Sequence, residues 1–471
     1  MKRNVSLGFL FLLLPLFFIL FVDYAKTVND VWFLFSHGKY VLEHGFPHTE
    51  FLTIHENLHF VMQQWGFSVI LFLIYKFTGN VGVYFFIFLI NFLILFFLYK
   101  LCMLLSSNNK YFSCLIAAIT DLFLEMVFIA PRPQLISILL LIITIYVLEL
   151  FFKGKSKSIW FIPLISIFLI NIHAAYWPIL FIVILPYLAE GLFFLVKRND
   201  KKIGKLLITF FIAMLMGFIN PYGLEAMTYS FYSYGIEEFN ILIREMHPVS
   251  FKGPSSVVVP SLIILLVIIV NLFFIIKNRK KVSIHQLLLF LGFSFMAFLN
   301  LKNFAFLIIG TIPFLVCFFK KNFKSEISVF IILVFLPIFG IIFLINNDQK
   351  QYLIRDDKNS KIVDYLDKNT NKKIKLYTDF NDGSYYEYHG YKCYIDSRAE
   401  VFIKNINRKE DIFHEYYLLF TEKIDYDNFI NKYNFDYMVV NKESSLYKYL
   451  SNVDVYKIVM KSEDRYLFVR K

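Results

Sequence analysis

Asp30 is the first residue to consider for chemistry. It sits in the polar stretch Asp23-Tyr24-Ala25-Lys26-Thr27-Val28-Asn29-Asp30-Val31-Trp32, directly after an apolar run over residues 5–22. A carboxylate there can act as a general base, taking a proton from a hydroxyl as it attacks. Asn29 and Asp30 are equally good caps for a helix over 31–44. Glu50, within Gly45-Phe46-Pro47-His48-Thr49-Glu50, is the second acidic candidate. It is either a partner in the chemistry or a solvated loop acid.

A second group of residues suits an anion. Arg132 stands between Pro131 and Pro133, and Gln134 follows. Proline stiffens the turn, and a guanidinium held there can bind a phosphate with two parallel hydrogen bonds. Asn171 and His173 lie just after an apolar run and before Tyr176 and Trp177. His173 can bond a phosphate or a sugar hydroxyl. Arg244, Glu245 and His247 follow one another in a long polar segment, and Lys302 is a lone cation between two apolar runs. The bland readings are an interfacial anchor for Arg132 and a local ion pair for Arg244 and Glu245.

The elements that must position these groups are membrane spans. The 471 residues are 58% hydrophobic and include 58 Phe, with a mean hydropathy of +0.58. Apolar runs of spanning length recur through the first 346 residues. Eleven spans are expected, at about 5–22, 81–101, 111–129, 134–152, 159–170, 177–196, 203–219, 257–276, 285–300, 304–319 and 326–346. The opening run resembles a signal peptide but is followed by no small-residue cleavage site, so a retained span is expected.

The formal charge of +12 does not point to nucleic acid, because the basic residues cluster in short loops. With Lys2 and Arg3 on the cytoplasmic side, Lys100 and Lys110, Lys153–Lys157, Lys197–Lys205, Lys277–Lys281 and Lys320–Lys324 all fall on that side. This is the positive-inside bias. It puts the candidate residues Asp30, Glu50, Arg132, Gln134, Asn171, His173, Arg244, Glu245, His247 and Lys302 together on the outer face, where polar groups at a membrane tend to mark a site.

The first outer loop, 23–80, is too long for a plain connection. Residues 31–44 and 64–78 read as two interfacial amphipathic helices within it. Beyond residue 346 the composition turns polar. Helices at about 358–369, 409–420 and 425–433 and strands at 374–378, 391–395, 435–440, 453–459 and 464–469 are expected, giving an extracytoplasmic α/β domain. The expected domains are thus 1–346, the transmembrane part, and 347–471. Cys102, Cys114, Cys317 and Cys393 show no metal spacing, and no disulfide is expected. His37, His44, His48, His55 and His59 scatter without ligand spacing, so no metal is expected either. The chain lacks a Walker A loop, GxSxG and HExxH.

The ordered set Asn29-Asp30-Val31-Trp32, Gly38, Gly45-Phe46-Pro47-His48-Thr49-Glu50, Gln64-Trp65, Arg132-Pro133-Gln134, Asn171-Ile172-His173 and Asn220-Pro221 resembles the GT-C class of integral-membrane glycosyltransferases. Relatives include the dolichyl-phosphate-mannose protein mannosyltransferases and bacterial lipid A sugar transferases. The resemblance implies a mostly α fold, a polytopic helix bundle with a large first outer loop and a C-terminal α/β domain. It implies a polyprenyl-phosphate-linked sugar donor, a lipid, glycan or protein acceptor in a bacterial cell envelope, and no cofactor.

In that family pattern Asp30 is the first-loop catalytic acid and Glu50 has a secondary role. Arg132, His173 and Lys302 neutralise the departing lipid phosphate in one inverting displacement. Two departures stand out: Asn29 replaces one member of the usual acidic pair, and Gln64 replaces a charged residue or His before Trp65. The segment Asp396-Ser397-Arg398-Ala399-Glu400 also matches the outer domains of bacterial relatives and is expected to brace that domain. A plasma-membrane location is expected, with the N-terminus cytoplasmic. A transporter or flippase of a lipid-linked substrate is the alternative, with a non-catalytic membrane scaffold as a third. Transporters place polar residues at mid-span and show paired repeats, whereas here they gather at span ends.

Overall fold

The computed structural model describes residues 30–125, 130–155, 157–198, 202–233, 235–319, 328 and 357–471. The expected span at 5–22, that at 326–346 apart from Ser328, and residue Asn29 lie outside them. The chain divides into two compact units. One holds Val81–Met227 and Phe239–Gln351, with Met1–Tyr24; the other holds Ala25–Asn80, Thr228–Glu238 and Tyr352–Lys471.

In chain order the first helices are α1 (Asp30–His44), α2 (Trp65–Leu105), α3 (Lys110–Glu125) and α4 (Gln134–Phe152). There follow α5 (Phe161–Ile172), α6 (Trp177–Arg198), α7 (Lys202–Met216), α8 (Leu224–Ser233), α9 (Glu237–Leu242), α10 (Ser255–Lys277), α11 (Ile284–Leu299) and α12 (Phe304–Thr311). α2 is two helices joined at Gly79, whose φ of 62° and ψ of −155° break the helical run. Only glycine takes that conformation without strain. The break falls where the sequence separates an interfacial helix ending near 78 from a span starting near 81.

Five helices among the described residues are long and apolar enough to cross a membrane: Trp65–Leu105, Gln134–Phe152, Ala174–Lys197, Ser255–Lys277 and Leu301–Phe318. Shorter apolar helices cover Ser158–Ile172, Ile203–Met216 and Ile284–Leu299. The protein is thus a multi-pass, mostly helical membrane protein. The segment 220–256 is not a bare loop. It carries α8, α9 and a 3₁₀ turn at Arg244–Met246, because its apolar residues find partners in the fold that the local pattern does not reveal.

The helix bundle is cross-linked by a buried polar network. His285 on α11 contacts Glu190 Oε2 through Nδ1 at 2.9 Å and Glu149 Oε1 through Nε2 at 2.8 Å. Tyr187 donates to the same Glu149 oxygen at 3.0 Å. An imidazole bonded to carboxylates at both nitrogens donates from both, which ties α4, α6 and α11 together. Glu149 lies near the C-terminal end of the 19-residue helix α4, about 28 Å long at the usual rise. The network is therefore far from Arg132.

The second unit contains α13 (Asp357–Asn369), β1 (Lys375–Tyr377), α14 (Gly383–Tyr388), β2 (Lys392–Cys393), α15 (Lys404–Asn407), α16 (Ile412–Phe420), α17 (Tyr426–Tyr433), β3 (Tyr437–Asn441), α18 (Ser445–Asn452), β4 (Tyr456–Ser462) and β5 (Arg465–Arg470). Its sheet runs β2-β1-β3-β5-β4. β1 is parallel to β2 and β3, and β5 is antiparallel to β3 and β4. The sequence places all five strands, and it misses the short helices α14, α15 and α18. Cys102, Cys114, Cys317 and Cys393 are all free thiols.

Residues of the first long loop belong to this same unit. Thr53 bridges Cys393 in parallel, and Ile54 N donates to Cys393 O at 3.0 Å. His55 Nε2 meets Tyr394 O at 2.8 Å, and His59 N donates to Asn407 O at 3.0 Å. The loop histidines 55 and 59 thus belong to segments that stitch the loop to the C-terminal sheet.

Candidate functional site

Asp30 opens α1 and is half-buried. A carboxylate in the first turn of a helix is favoured by the helix dipole. What holds α1 is its apolar and small-residue face. Trp32 packs edge-on to Tyr385 at 4.9 Å and against Tyr388 at 5.2 Å. Phe35 stacks on Tyr75 at 4.2 Å. At Gly38 the helix approaches α2 so closely that a Cβ would lie 2.2 Å from Ser68 O. The glycine singled out in the sequence is a point of backbone contact.

Two turns along α1, His37 reaches the centre of a buried charge cluster. Arg398 donates through NH1 to Glu50 Oε2 at 2.8 Å and through NH2 to Glu50 Oε1 at 3.2 Å. It also donates through Nε to both Asp396 oxygens, at 2.9 and 3.0 Å, and through NH2 to Asp396 Oδ2. Glu387 is a third carboxylate, 3.9 Å from NH2. The rings of Phe33 and Phe60 flank the guanidinium. Glu50 Oε1 additionally accepts from Leu52 N at 2.6 Å. Both Glu50 oxygens are engaged and its side chain is fully buried, so its geometry is that of a brace and not of an exposed loop acid.

The same cluster settles the state of His37. Arg398 NH1 lies 3.0 Å from its Nε2, and a guanidinium only donates. Nε2 therefore accepts and the proton sits on Nδ1. Burial, and then the charge of Arg398, hold this imidazole well below its usual range. Asp396 and Arg398 brace the unit, and so does Glu400, which accepts from Gln63 Nε2 at 2.6 Å.

The anion-binding candidates gather in the helix bundle. Arg132 NH1 donates to Glu245 Oε1 at 2.7 Å, with the two side chains 26% and 50% exposed. This brings the Pro-Arg-Pro turn to the Arg244–Met246 turn. That turn is sewn to residues 298–301: Val249 N donates to Phe298 O at 3.1 Å, Leu301 N to His247 O at 2.9 Å, and Asn300 Nδ2 to Met246 O at 2.7 Å. Arg244 Nε donates to Ser256 O at 3.1 Å. Asn171 Nδ2 donates to Ile219 O at 2.7 Å and fixes the end of α5. Gln134 is the first residue of α4, and its buried Oε1 has no hydrogen-bond partner among the described residues.

His173 completes this group. Its Nδ1 is 3.0 Å from Ser137 Oγ, one turn along α4 from Pro133. Ser137 donates to Pro133 O at 3.0 Å, so its oxygen accepts from His173 Nδ1 and Nε2 keeps the lone pair. The ring stacks on Tyr176 at 4.2 Å. Burial first, and the charge of Lys302 second, push its pKa down to about 3. His173 is therefore neutral at neutral pH. It cannot help neutralise a phosphate by charge; it can accept a hydrogen bond from a hydroxyl. Arg132, Gln134, Asn171, His173, Arg244, Glu245, His247 and Lys302 thus meet at one end of the bundle, while Asp30 and Glu50 belong to the other compact unit.

Three polar sets escape the sequence reading: His285 with Glu149 and Glu190, Glu387 beside Arg398, and Asp121 with Glu125 and Asn91. The signal was present for two of them, since carboxylates inside apolar runs are costly and seldom incidental.

The chain combines a polytopic helix bundle with a mixed-sheet C-terminal domain on which the long first loop is docked. No protein-family model matches the sequence, and no curated protein matches it. Solved structures of the oligosaccharyltransferase of Archaeoglobus fulgidus do match. The apo form gives a TM-score of 0.58 at 10% identity, over 94% of this chain and 70% of that one. The form tethered with an acceptor peptide containing the NVT sequon via a disulfide bond gives 0.59 at 10% identity, over the same shares. The complex with Zn and sulfate gives 0.57 at 12% identity, over 94% and 69%. At such identities the likeness is one of fold.

Proposed function

We propose that the protein is an integral-membrane, inverting glycosyltransferase. It moves a sugar from a polyprenyl-phosphate donor to a lipid, glycan or protein acceptor of a bacterial envelope, on the outer face of the plasma membrane. The observation that carries this reading is the convergence of Arg132, His173 and Lys302 at one bundle end, in a chain with the GT-C fold.

Asp30 takes the proton of the acceptor hydroxyl as its oxygen bonds to the anomeric carbon. The bond from that carbon to the phosphate oxygen breaks, and the lipid phosphate leaves with the electron pair. Arg132 and Lys302 stabilise its charge. Half-exposed ion pairs contribute about 0–1 kcal/mol, so a phosphate can displace Glu245 from Arg132. His173 Nε2 accepts from a sugar hydroxyl. Gln134, Asn171, Arg244 and His247 complete or hold the donor side, and Glu50 serves by positioning the loop. The basic loops then face the cytoplasm, and the C-terminal domain lies outside.

The test is transfer by the purified protein from polyprenyl-phosphate-linked sugars. Asp30→Asn is expected to lower turnover by roughly 10²–10⁴-fold, and Arg132→Gln to weaken use of the donor. Turnover indifferent to Asp30→Asn removes Asp30 as the base. Movement of the lipid-linked sugar across a vesicle membrane without transfer establishes the flippase reading instead.

A further inference from the structure

Glu245 engages the same guanidinium that a lipid phosphate would use. Its Oε1 accepts from Arg132 NH1 at 2.7 Å. The two partners are held differently. Arg132 stands on a turn stiffened by Pro131 and Pro133 and its side chain is 26% exposed, whereas that of Glu245 is 50% exposed. Among the described residues, Arg132 is the one partner of the Glu245 side chain.

The backbone around Glu245 is fixed by its neighbours. Met246 O accepts from Asn300 Nδ2 at 2.7 Å, and His247 O accepts from Leu301 N at 2.9 Å. Arg244 Nε donates to Ser256 O at 3.1 Å. Lys302 follows Leu301 directly, so this turn is tied to the segment that carries the second cation. A carboxylate with one partner on a pinned backbone leaves that partner by changing its own rotamer, and no segment has to move.

An internal anion of this kind competes with an external one. A ligand that needs Arg132 released has its apparent affinity reduced by the fraction of chains in that state. The two ends of the transfer reaction are not alike in charge. The donor is a phosphodiester with one negative charge, and the lipid phosphate left after transfer is a monoester with roughly twice that charge at neutral pH. A site built of cations alone would hold the product more tightly than the donor.

We propose that Glu245 is a displaceable counter-ion of the lipid-phosphate site, which yields Arg132 to the entering donor and competes for Arg132 with the phosphate monoester left after transfer. The inference rests on the reading of this bundle end as the donor-phosphate site.

The probe is farnesyl phosphate, a phosphate monoester on a short isoprenoid, titrated into the full chain in detergent and followed by calorimetry. Farnesol reports the share of binding that comes from the apolar tail. Glu245→Gln is isosteric at a half-exposed position, so the fold is expected to persist. This variant is expected to bind farnesyl phosphate about two- to fivefold more tightly than the wild type, the size of one exposed ion pair, with farnesol binding unchanged. Arg132→Gln is expected to weaken farnesyl phosphate binding, and adding Glu245→Gln to it is expected to bring no further gain. This comparison separates the pair from a general loss of negative charge. Where the wild type prefers farnesyl phosphate to farnesol, equal or weaker binding by Glu245→Gln, or an undiminished gain on the Arg132→Gln background, overturns the counter-ion and leaves the donor site standing. A wild type that binds the two probes equally overturns the donor-phosphate reading itself, and the counter-ion with it.

Discussion

Arg398 and Glu50, 348 residues apart in the chain, form a two-pronged ion pair with N···O distances of 2.8 and 3.2 Å. Both side chains are buried, at 2% and 0% exposure. This pair fastens the first long loop to the C-terminal segment, and His37 brings α1 to the same guanidinium. A loop of this length owes its shape to such anchors, because its own local pattern specifies only the helices at its two ends.

Arg398→Met tests this anchor. Removing one partner of a buried ion pair costs about 3–5 kcal/mol, since the carboxylates left behind have no counter-charge. The thermal unfolding midpoint of the variant is expected to fall by several degrees, with Arg398→Lys intermediate because an ammonium cannot reproduce the fork. An unchanged midpoint in Arg398→Met would mean the cluster contributes no stability.

Glu387 makes stability depend on pH. Its carboxyl is raised well above the ordinary value of 4.5, by burial first and then by the charge of Asp396, against the opposing pull of Arg398. The folded chain therefore keeps this proton at pH values where the unfolded chain has released it. The resulting stability is complete below the unfolded value and is lost as pH rises from there through the folded value. Melting midpoints of the wild type are expected to decline over that window. Glu387→Gln, which cannot ionise, is expected to flatten the decline. Parallel curves for the two proteins would refute the assignment.

Gly38→Ala addresses the placement of α1. The added Cβ would lie 2.2 Å from Ser68 O and 2.6 Å from Phe72 Cβ, and a backbone carbonyl cannot swing aside. Overpacking of this kind costs about 1–3 kcal/mol. Both the unfolding midpoint and, through Asp30 at the start of the same helix, the transfer rate are expected to fall. Gly204→Ala is the matched control, because nothing lies within 4 Å of its Cβ. Equal effects at the two positions would argue against close contact at Gly38.

Much of the candidate site was legible because its residues break a strong pattern. Arg132 between prolines, His173 after an apolar run and Lys302 between two such runs stand out against long stretches of Phe, Leu and Ile. The same logic applied to Asp121, Glu125, Glu149 and Glu190, which sit inside those stretches; an i,i+4 carboxylate pair in a span is visible without coordinates. Glu387 was not visible. It lies in Gly383–Tyr388, a six-residue helix whose aromatic run carries no distinctive period.

Sequence alone determined the elements: the apolar runs, the break at Gly79, the strands of the C-terminal domain and the polar residues at span ends. These follow from local composition, and local composition governs hydropathy, periodicity and turns. Only the tertiary structure decided which groups pair. It turned Glu50 from a loop acid into a buried brace, made His173 neutral by burying it and setting it near Lys302, and joined Asn91 to Glu125 inside the bundle. Charge state and pairing depend on burial and on neighbours hundreds of residues away, and no sequence pattern encodes those distances.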